Sequence, residues 1–371
     1  MGPFRILATL GLTYGYDDNI ARTQDTELDS HFTIVSPGIR AELPTDRSIL
    51  SLTWDANYAR YEETSLNDYD DWVLKADWRW DPTSRTSFGL FAQTGDSHVE
   101  RGEGTRQGED ALLNLPLDEY EAYTYGGSWT YGAVGSRGRL TIDYAMSDLS
   151  YQNNPEFTEV QDRQTEAIGG TFFLRIRPKT SLLVGVQYIE TDYDLDSFIE
   201  NPTVSTLDSD MEYLFVGVSW DISARTSGRI DFGWHERNFD APDREGYDSN
   251  FWRAGITWAP RTYSTFDLNV SRDTSETVGF GDYVLRDKIS LSWNHAWNSK
   301  FSTAVQYGIG TDDPRPSPRK EDYTTWGISA RWQLGRHFQL AAGWQHYERD
   351  VNQGGFDYEK NIYLITLEAS Y

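Results

Sequence analysis

The sequence contains no cysteine among its 371 residues. This absence excludes a disulfide framework, a cysteine metal site and a thiol nucleophile. Long apolar runs are missing as well: no stretch approaches about 18 consecutive apolar residues, so the sequence predicts no transmembrane helix. Basic residues are few, with 33 lysines and arginines against 58 aspartates and glutamates and a formal net charge of −25. Because so acidic a chain repels phosphate, we expect no nucleic acid among its partners.

Aromatic residues are abundant, at 15% of the chain, whereas a disordered acidic chain would be poor in them. Apolar residues also recur at every second position, as in residues 50–58, 252–258 and 289–293. A period of two is typical of strands with one apolar and one polar face, and no segment sustains the period of a helix. The predicted strand centres lie near Leu10, Val35, Trp54, Leu74, Leu90, Tyr125, Ile142, Phe172, Val184, Val216, Ile230, Ile256, Leu268, Leu291, Val305, Ile328, Ala342 and Ile365.

Turn residues join these strands into hairpins. Eight short connections each carry a basic residue, and their spacing corresponds to a loose hairpin repeat of about 40 residues. The basic residues are Arg47, Arg85, Arg137, Lys179, Arg225, Arg261, Lys300 and Arg336. Longer, mostly acidic connections such as residues 97–116 and 191–210 alternate with the short ones. An acidic mouth of this kind would favour cations or neutral solutes, although wet rims are often charged for solubility alone.

Three features favour a membrane barrel. Many segments alternate for about 9–13 residues, enough to cross a bilayer when tilted, whereas soluble strands average about 5–6. Tryptophans such as Trp78, Trp80 and Trp258 lie at the ends of the apolar faces, where their amphipathic rings suit the headgroup level. Short connections also alternate with long ones. The sequence thus predicts an all-β fold, a transmembrane antiparallel up-and-down β-barrel of about 18 strands (16–18), formed by residues 1–371 as a single domain.

A soluble β-propeller is the alternative architecture. Trp54-Asp55, Trp80-Asp81 and Trp220-Asp221 are Trp-Asp dipeptides of the kind found in propeller blades. A blade needs four short strands within about 40 residues, however, and this sequence offers two long ones in that span. The strand lengths therefore favour the membrane barrel.

A barrel this wide cannot be filled by its own side chains, so we expect a lumen that holds water. Lining charges set the selectivity of such pores. The predicted pore-lining residues are Lys75, Asp77, Arg79, Asp143, Arg229, Asp231, Arg253, Asp267, Lys288 and Arg331. Their mixed signs favour hydrogen bonding to neutral or weakly charged sugars. The alternative is a generic polar lumen whose charges pair across strands.

The longest connection, from Ser97 to Leu117, ends in an apolar run. Its apolar side chains are Ala111, Leu112, Leu113, Leu115 and Leu117. An apolar patch is costly in an exposed loop, and we predict that this loop folds inward and constricts the pore. A subunit contact or packing on neighbouring loops is the alternative.

The sequence carries no catalytic motif: a nucleophile elbow, a phosphate loop and a zinc-binding helix are all missing. We therefore expect neither an enzyme nor a cofactor. Asp192, Asp194 and Asp196 have the spacing of a calcium-loop start, but Ser197 and Thr203 replace the glycine and glutamate of an EF-hand. A looser surface Ca²⁺ site at the three aspartates is the metal candidate.

The C-terminal residues Tyr363, Ile365, Leu367, Ala369 and Tyr371 alternate on one face and end the chain on an aromatic side chain. This pattern resembles the terminal signal by which the outer-membrane assembly machinery recognises its barrels. The resemblance implies a Gram-negative outer membrane, with its lipid and lipopolysaccharide, and a last strand that closes on the first. We accordingly expect that a signal peptide has been removed. With the short basic turns facing the periplasm, both termini lie there as well, because the strand count is even.

Residues 11–20, with Tyr16-Asp17-Asp18-Asn19 as the sharpest motif, are similar to the opening of a family of outer-membrane β-barrels whose genes often lie in exopolysaccharide clusters. The resemblance implies a conduit for a secreted polysaccharide that works with a periplasmic polysaccharide export protein. The residues themselves leave two other functions open: a general or sugar-selective diffusion porin for small solutes, and a structural or adhesive barrel. Inner-wall aromatic residues would favour sugar passage, but the alternation points most tryptophans outward.

Overall fold

The computed structural model describes residues 4–133, 135–194, 205–223, 225–277 and 279–371. Its strands form one antiparallel sheet of 18 strands, in which neighbours in the chain pair with one another. The strands are β1 (Arg5–Asp17), β2 (Ser30–Pro44), β3 (Ser48–Tyr61), β4 (Tyr69–Thr83), β5 (Thr86–Val99), β6 (Asp118–Tyr131), β7 (Gly138–Tyr151), β8 (Arg163–Arg177), β9 (Thr180–Tyr193), β10 (Ser209–Ser223), β11 (Thr226–Phe239), β12 (Tyr247–Arg261), β13 (Ser264–Glu276), β14 (Tyr283–Ala296), β15 (Phe301–Arg315), β16 (Glu321–Gln333), β17 (Phe338–Val351) and β18 (Tyr358–Ser370). Every predicted strand centre lies inside one of these strands, and the predicted barrel of 18 strands is confirmed.

The remaining regular structure lies in loops. A helix of one turn, α1 (Pro155–Thr158), follows β7, and 3-10 turns occupy Ser65–Asn67, Gly108–Leu112 and Glu159–Gln161. Within the described ranges, no helix has the length and apolar character needed to span a membrane.

The sheet closes on itself because β1 pairs with both β2 and β18. At this seam Thr13 faces Thr366, and their hydroxyl oxygens lie 2.8 Å apart. Each of the 18 strands therefore has a partner on both sides. A strand in lipid needs both partners, since the hydrocarbon offers no hydrogen bonds to its backbone.

The N-terminal motif, residues 16–19, links β1 to β18 at the end of the seam that lies near the longer loops. The Asp17 carboxylate forms an ion pair with Lys360 on β18 at 2.6 Å, and both side chains are buried. The Asp18 carboxylate accepts a hydrogen bond from the backbone nitrogen of Asn361 at 2.6 Å. The buried Asn19 side-chain amide donates to a backbone oxygen of β18 at 3.0 Å. The motif thus joins the first strand to the last.

The two rims of the barrel differ. The eight short turns lie at one rim, together with the start of β1 and the end of β18. The longer loops lie at the other rim. The longest of them joins β5 to β6, spans residues 100–117 and is called the β5–β6 loop below.

The outer face of the sheet is apolar. Leu10, Val216 and Ile365 are 52%, 57% and 58% exposed, which suits side chains that meet lipid. By register, every tryptophan on a strand lies on this face, as the alternation predicts. At the short-turn rim these rings stack; Trp78 and Trp80, for example, have ring centroids 5.9 Å apart. The stacks form the predicted aromatic girdle at that rim.

The inner face is not polar throughout, which corrects the sequence-based picture of the lumen. On β9, β10 and β12 a buried apolar cluster covers the inner wall. It consists of Leu183, Met211, Tyr213, Phe215 and Phe251, with Phe173 and Ile189 packed against it. Both faces of β10 are therefore apolar, and the wall on this side of the barrel is thick.

We predict that the seam can be closed covalently. Residues directly opposite each other in an antiparallel pair have Cα atoms about 4.5–5.5 Å apart, within the range of a disulfide. Because the chain has no cysteine of its own, Thr13→Cys with Thr366→Cys should form a disulfide on mild oxidation and change the mobility of the denatured, non-reduced chain on a gel.

The matched control is Thr13→Cys with Thr325→Cys, since Thr325 lies on β16, two strands beyond the seam. A disulfide in the control, or none in the seam pair of a folded barrel, would contradict the observed closure.

Candidate functional site

The lumen is the candidate site, and register places all the predicted pore-lining side chains on its inner face. Cross-strand pairing joins Asp77 to Ser51, Asp231 to Arg253, and Arg253 to Ser271. The complete set is Lys75, Asp77, Arg79, Asp143, Arg229, Asp231, Arg253, Asp267, Lys288 and Arg331. Their part in conduction remains a prediction.

Several of these charges pair along their own strand rather than across strands. Arg229 contacts Asp231 at 2.8 Å, and Lys75 contacts Asp77 at 3.6 Å. Other inner bases, including Arg253, form no ion pair with any described residue. Among the described residues, the lumen therefore contains both paired charges and basic side chains that form no direct ion pair.

The lower half of the lumen, near the short turns, contains open space. A cavity of ≈ 1180 Å³ is lined by Asp77, Arg79, Asp143, Arg229 and Arg253 together with hydroxyl-bearing residues. A second space of ≈ 470 Å³ continues along Arg229 and Arg253 to Lys288. Arg331 lines a separate space of ≈ 270 Å³. Polar cavities of this size hold many water molecules.

The mouth at the loop rim is crossed by the β5–β6 loop. On the near side, Arg101 is buried and donates to the side-chain oxygen of Asn67 at 2.7 Å and to the backbone oxygen of Leu66 at 3.0 Å. The same guanidinium donates to backbone oxygens of its own loop, at Ala111 and Leu115. One buried arginine thus shapes the loop and fixes it to the β3–β4 loop.

On the far side, the same loop reaches the opposite wall. Its Thr105 lies beside Gly279 of the β13–β14 loop, which is across the ring of 18 strands from β5 and β6. Gln107 accepts a hydrogen bond from Arg319 in the β15–β16 loop at 2.5 Å. Gly108 approaches the backbone oxygen of Gly355 in the β17–β18 loop. The loop therefore spans the whole mouth.

Ion pairs fix the middle of the β5–β6 loop where it crosses the mouth. Arg22 of the β1–β2 loop contacts Glu100 at 3.3 Å and Glu103 at 3.2 Å. Arg349 on β17 contacts Glu103 at 3.6 Å, and the Tyr358 hydroxyl donates to Glu103 at 3.1 Å. Both arginines are buried, and breaking one partner of a buried pair is strongly destabilising. These contacts fix the crossing loop to the seam side of the barrel.

Arg319 anchors the far end. Its guanidinium carbon lies 4.1 Å from the centre of the Phe280 ring and 4.3 Å from that of Phe356. The Arg319 side chain is fully buried, and it forms an ion pair with Glu321 at 2.6 Å. Cation–π contacts strengthen on desolvation, so this contact with both rings is a strong attachment point for Gln107.

The predicted constriction residues do not make this crossing. Ala111 and Leu117 are buried at the loop base, but Leu112 and Leu113 are 37% and 39% exposed, and Leu115 is half-buried. The part that reaches across is the preceding polar stretch, residues 101–108. Its Gly102, Gly104 and Gly108 all have positive φ, so glycine and not apolar content is the signal in the sequence that could have found it.

Two other predicted sites can be placed. Asp192 is the second-last residue of β9, Asp194 follows that strand, and Asp196 lies outside the described residues. The described residues contain no cluster of side chains that could hold a metal ion. The proposed assembly signal lies on β18, where Tyr363, Ile365 and Leu367 face outward and are exposed. Its recognition by the assembly machinery remains a prediction, together with the roles of Ala369 and Tyr371.

Comparison with known proteins identifies the family. The family described as "Putative beta-barrel porin 2" matches residues 1–371. The chain belongs to this family. The resemblance of the N-terminal motif to an outer-membrane barrel family is thereby confirmed, and the molecule is a porin-type outer-membrane β-barrel. A search of curated proteins found no match.

Solved structures of porin-type barrels are similar in fold at low sequence identity. Pseudomonas aeruginosa OccK1 (OpdK) has a TM-score of 0.54 and 12% identity, with 99% of each chain covered. Acinetobacter baumannii OccAB3 has a TM-score of 0.51 and 8% identity, again with 99% of each chain covered. For the FrpB iron transporter from Neisseria meningitidis the TM-score is 0.51 and the identity 11%, and the match covers 93% of this chain and 62% of that one. At these identities the likeness concerns the fold alone.

We predict that loosening the crossing loop of this porin raises its conductance. Gly102 has a φ of +80°, and a Cβ there would lie 2.3 Å from the backbone oxygen of Ala21. Gly102→Val should therefore push the loop away from the β1–β2 loop, since the left-handed backbone alone costs a branched residue about 1–2 kcal/mol. Deleting residues 104–115 should raise the single-channel conductance further.

Gly354→Val is the matched control, because a Cβ at Gly354 meets no atom within 4 Å. It should conduct as the parent does. A deletion variant that is folded but has the parent's conductance would show that the loop does not constrict the pore.

Proposed function

We propose that this porin is a diffusion channel for small solutes. The observation that carries the proposal is the β5–β6 loop, which is fixed to both walls of the mouth by Arg101 and Arg319. A loop attached at both ends limits passage to solutes that fit beside it. Beneath it, the cavity of ≈ 1180 Å³ offers polar groups and water to such solutes.

A conduit for a secreted polysaccharide is the competing function, and it is favoured only by the family resemblance of the N-terminal motif. A polymer must pass as a continuous chain, so the loop would have to leave the mouth for the whole transit. That displacement would break the ion pairs of the buried Arg22 and Arg349 with the loop. It would also break the hydrogen bond that the buried Arg319 donates to Gln107. A small solute needs no such rearrangement, and for this reason we favour it as the cargo.

We further propose that the long loops face the cell exterior and that both termini lie in the periplasm. The outer face near the loop rim carries carboxylates that oppose one another across strands, as Glu190 does with Glu166 and Asp210. Like charges in this position repel and need counter-cations. The lipopolysaccharide leaflet, rich in phosphate and divalent cations, would supply them on the outside of the cell.

The proposed function predicts size-limited uptake. Liposomes that contain the purified barrel should swell in isotonic monosaccharide, more slowly in a disaccharide, and not in a dextran. Because the β5–β6 loop sets the limit, deleting residues 104–115 should admit larger oligosaccharides, as measured by the rate of swelling.

Empty liposomes and liposomes with heat-unfolded protein serve as controls. Equal swelling in monosaccharide with and without the folded barrel would reject a diffusion channel. Passage of a long polysaccharide through the unmodified barrel would favour the export conduit instead.

The orientation can be read from two matched glycines. Gly354 lies in the β17–β18 loop and Gly335 in the β16–β17 turn, and a Cβ at either meets nothing within 4 Å. On intact cells a membrane-impermeant maleimide should label Gly354→Cys and spare Gly335→Cys until the outer membrane is permeabilised. Labelling of Gly335→Cys alone would reverse the orientation.

A further inference from the structure

The short turns carry positive charge although the chain as a whole has a formal net charge of −25. Each turn has an exposed lysine or arginine within it or at its edge. We call these side chains the basic rim: Arg47, Arg85, Arg137, Lys179, Arg225, Arg261, Lys300 and Arg336. Between the strands, the short turns contain a single carboxylate, Asp46. Positive charge is therefore concentrated at one end of the barrel.

Carboxylates of the adjoining strand ends do not cancel this charge. They are Glu42, Asp81, Asp221, Asp267 and Glu368, and arginines in the same segments outnumber them. Glu42 and Asp81 form ion pairs with arginines of their own strands, and Asp267 accepts a hydrogen bond from Thr257. Among the residues that the structure describes, Arg137, Lys300 and Arg336 form no ion pair. These bases are open to an external anion.

The basic rim lies at the level of lipid headgroups. The exposed Trp258 and Trp297 precede Arg261 and Lys300 in their hairpins. Tryptophan rings favour the boundary between the hydrocarbon and the headgroups of a bilayer. A base that lies beyond such a ring, toward the end of the barrel, therefore extends into the layer that contains the lipid phosphates.

The basic rim surrounds the barrel. The short turns join β2 to β3, β4 to β5 and so on to β16 and β17, so that a base recurs at every second strand around the closed sheet. A protein partner would contact one sector of this circle, whereas the lipids that adjoin the barrel contact all of it. The distribution of the bases therefore favours lipid headgroups over a protein.

The loop rim is built differently. Its exposed bases Arg60, Arg315 and Lys320 each form an ion pair with an aspartate. The outer face beside them carries carboxylates that oppose one another across strands. Anionic headgroups would be repelled from this surface, so the two ends of the barrel suit different lipids.

We propose that the basic rim is a binding surface for anionic phospholipids of the phosphatidylglycerol type. Guanidinium groups match a phosphate with two parallel hydrogen bonds, and lysine attracts it as a compact charge. A zwitterionic headgroup is attracted less, because its own ammonium group offsets its phosphate. Binding at the basic rim would anchor the short-turn end of the barrel in a phospholipid leaflet, whatever solute the channel carries.

The test measures which lipid lies beside one turn. The full-length chain has no cysteine, so Gly335→Cys can carry a fluorophore next to Arg336, and Gly354→Cys can carry the same fluorophore at the loop rim. A Cβ at either glycine meets no atom within 4 Å. In nanodiscs of phosphatidylcholine, quenching by doxyl-labelled phosphatidylglycerol is compared with quenching by doxyl-labelled phosphatidylcholine. Phosphatidylglycerol should be favoured about fivefold at position 335, the effect of one base near an anionic surface, and not at position 354.

The deciding variant is Lys300→Gln with Arg336→Gln. Their two turns adjoin, since the backbone nitrogen of Gln333 donates to the backbone oxygen of Lys300 at 2.8 Å. The substitutions should bring the preference at position 335 close to one. About 1 M salt should do the same to the parent, because it shortens the screening length to about 3 Å.

Arg315→Gln with Lys320→Gln is the matched control. It removes the same two charges at the opposite end of β15 and β16, and it should leave the preference at position 335 unchanged.

Equal quenching by both lipids at position 335 of the folded parent would overturn the proposal. A preference that survives the Lys300 and Arg336 substitutions, or that is equally strong at position 354, would also overturn it. Loss of the preference on addition of polyglutamate would assign the basic rim to an acidic protein partner instead. Because the measurement does not involve conduction, each of these results is independent of the proposed diffusion channel.

Discussion

The requirement that every backbone group in the bilayer has a partner governs this structure. One antiparallel sheet meets it only by closing, and here β1 pairs with β18 along the seam. Closure gives each strand an outer face for lipid and an inner face for water, which explains how an acidic chain with little apolar sequence spans a membrane. The N-terminal motif acts at this point, because Asp17, Asp18 and Asn19 bond the loop end of β1 to β18.

Closure also brings the long loops together over one mouth, where they form hydrogen bonds and ion pairs with one another. Buried arginines make most of these contacts: Arg101 with the β3–β4 loop, Arg22 and Arg349 with Glu103, and Arg319 with two rings and Glu321. Guanidinium groups suit the task, since each can donate to several backbone oxygens at once. Polar contacts thus fix the β5–β6 loop across the mouth, and glycines with positive φ allow its backbone to make the crossing.

The wall of the lumen is asymmetric. On the side of β8 to β12 phenylalanine and tyrosine side chains thicken it, and Arg229 and Arg253 lie over the Phe215 ring on this side. Elsewhere the inner face consists mainly of small and hydroxyl-bearing residues that leave open space.

The period of two, the turn residues and the chain-terminal aromatic residue were enough to predict the strands, their number and the outward tryptophans, because these depend on local alternation and on the need to face lipid. The inner apolar cluster escaped prediction although Met211, Tyr213 and Phe215 alternate on β10, since a strand that is apolar on both faces does not reveal which face is the lumen. The crossing of the mouth and the stacking of inner-wall arginines on phenylalanine rings were decided only by the tertiary structure. Arg139 and Arg253 lie far apart in the sequence, and cross-strand register alone brings them to one wall. The end point of the β5–β6 loop depends on contacts across the full ring, which no spacing within the sequence encodes.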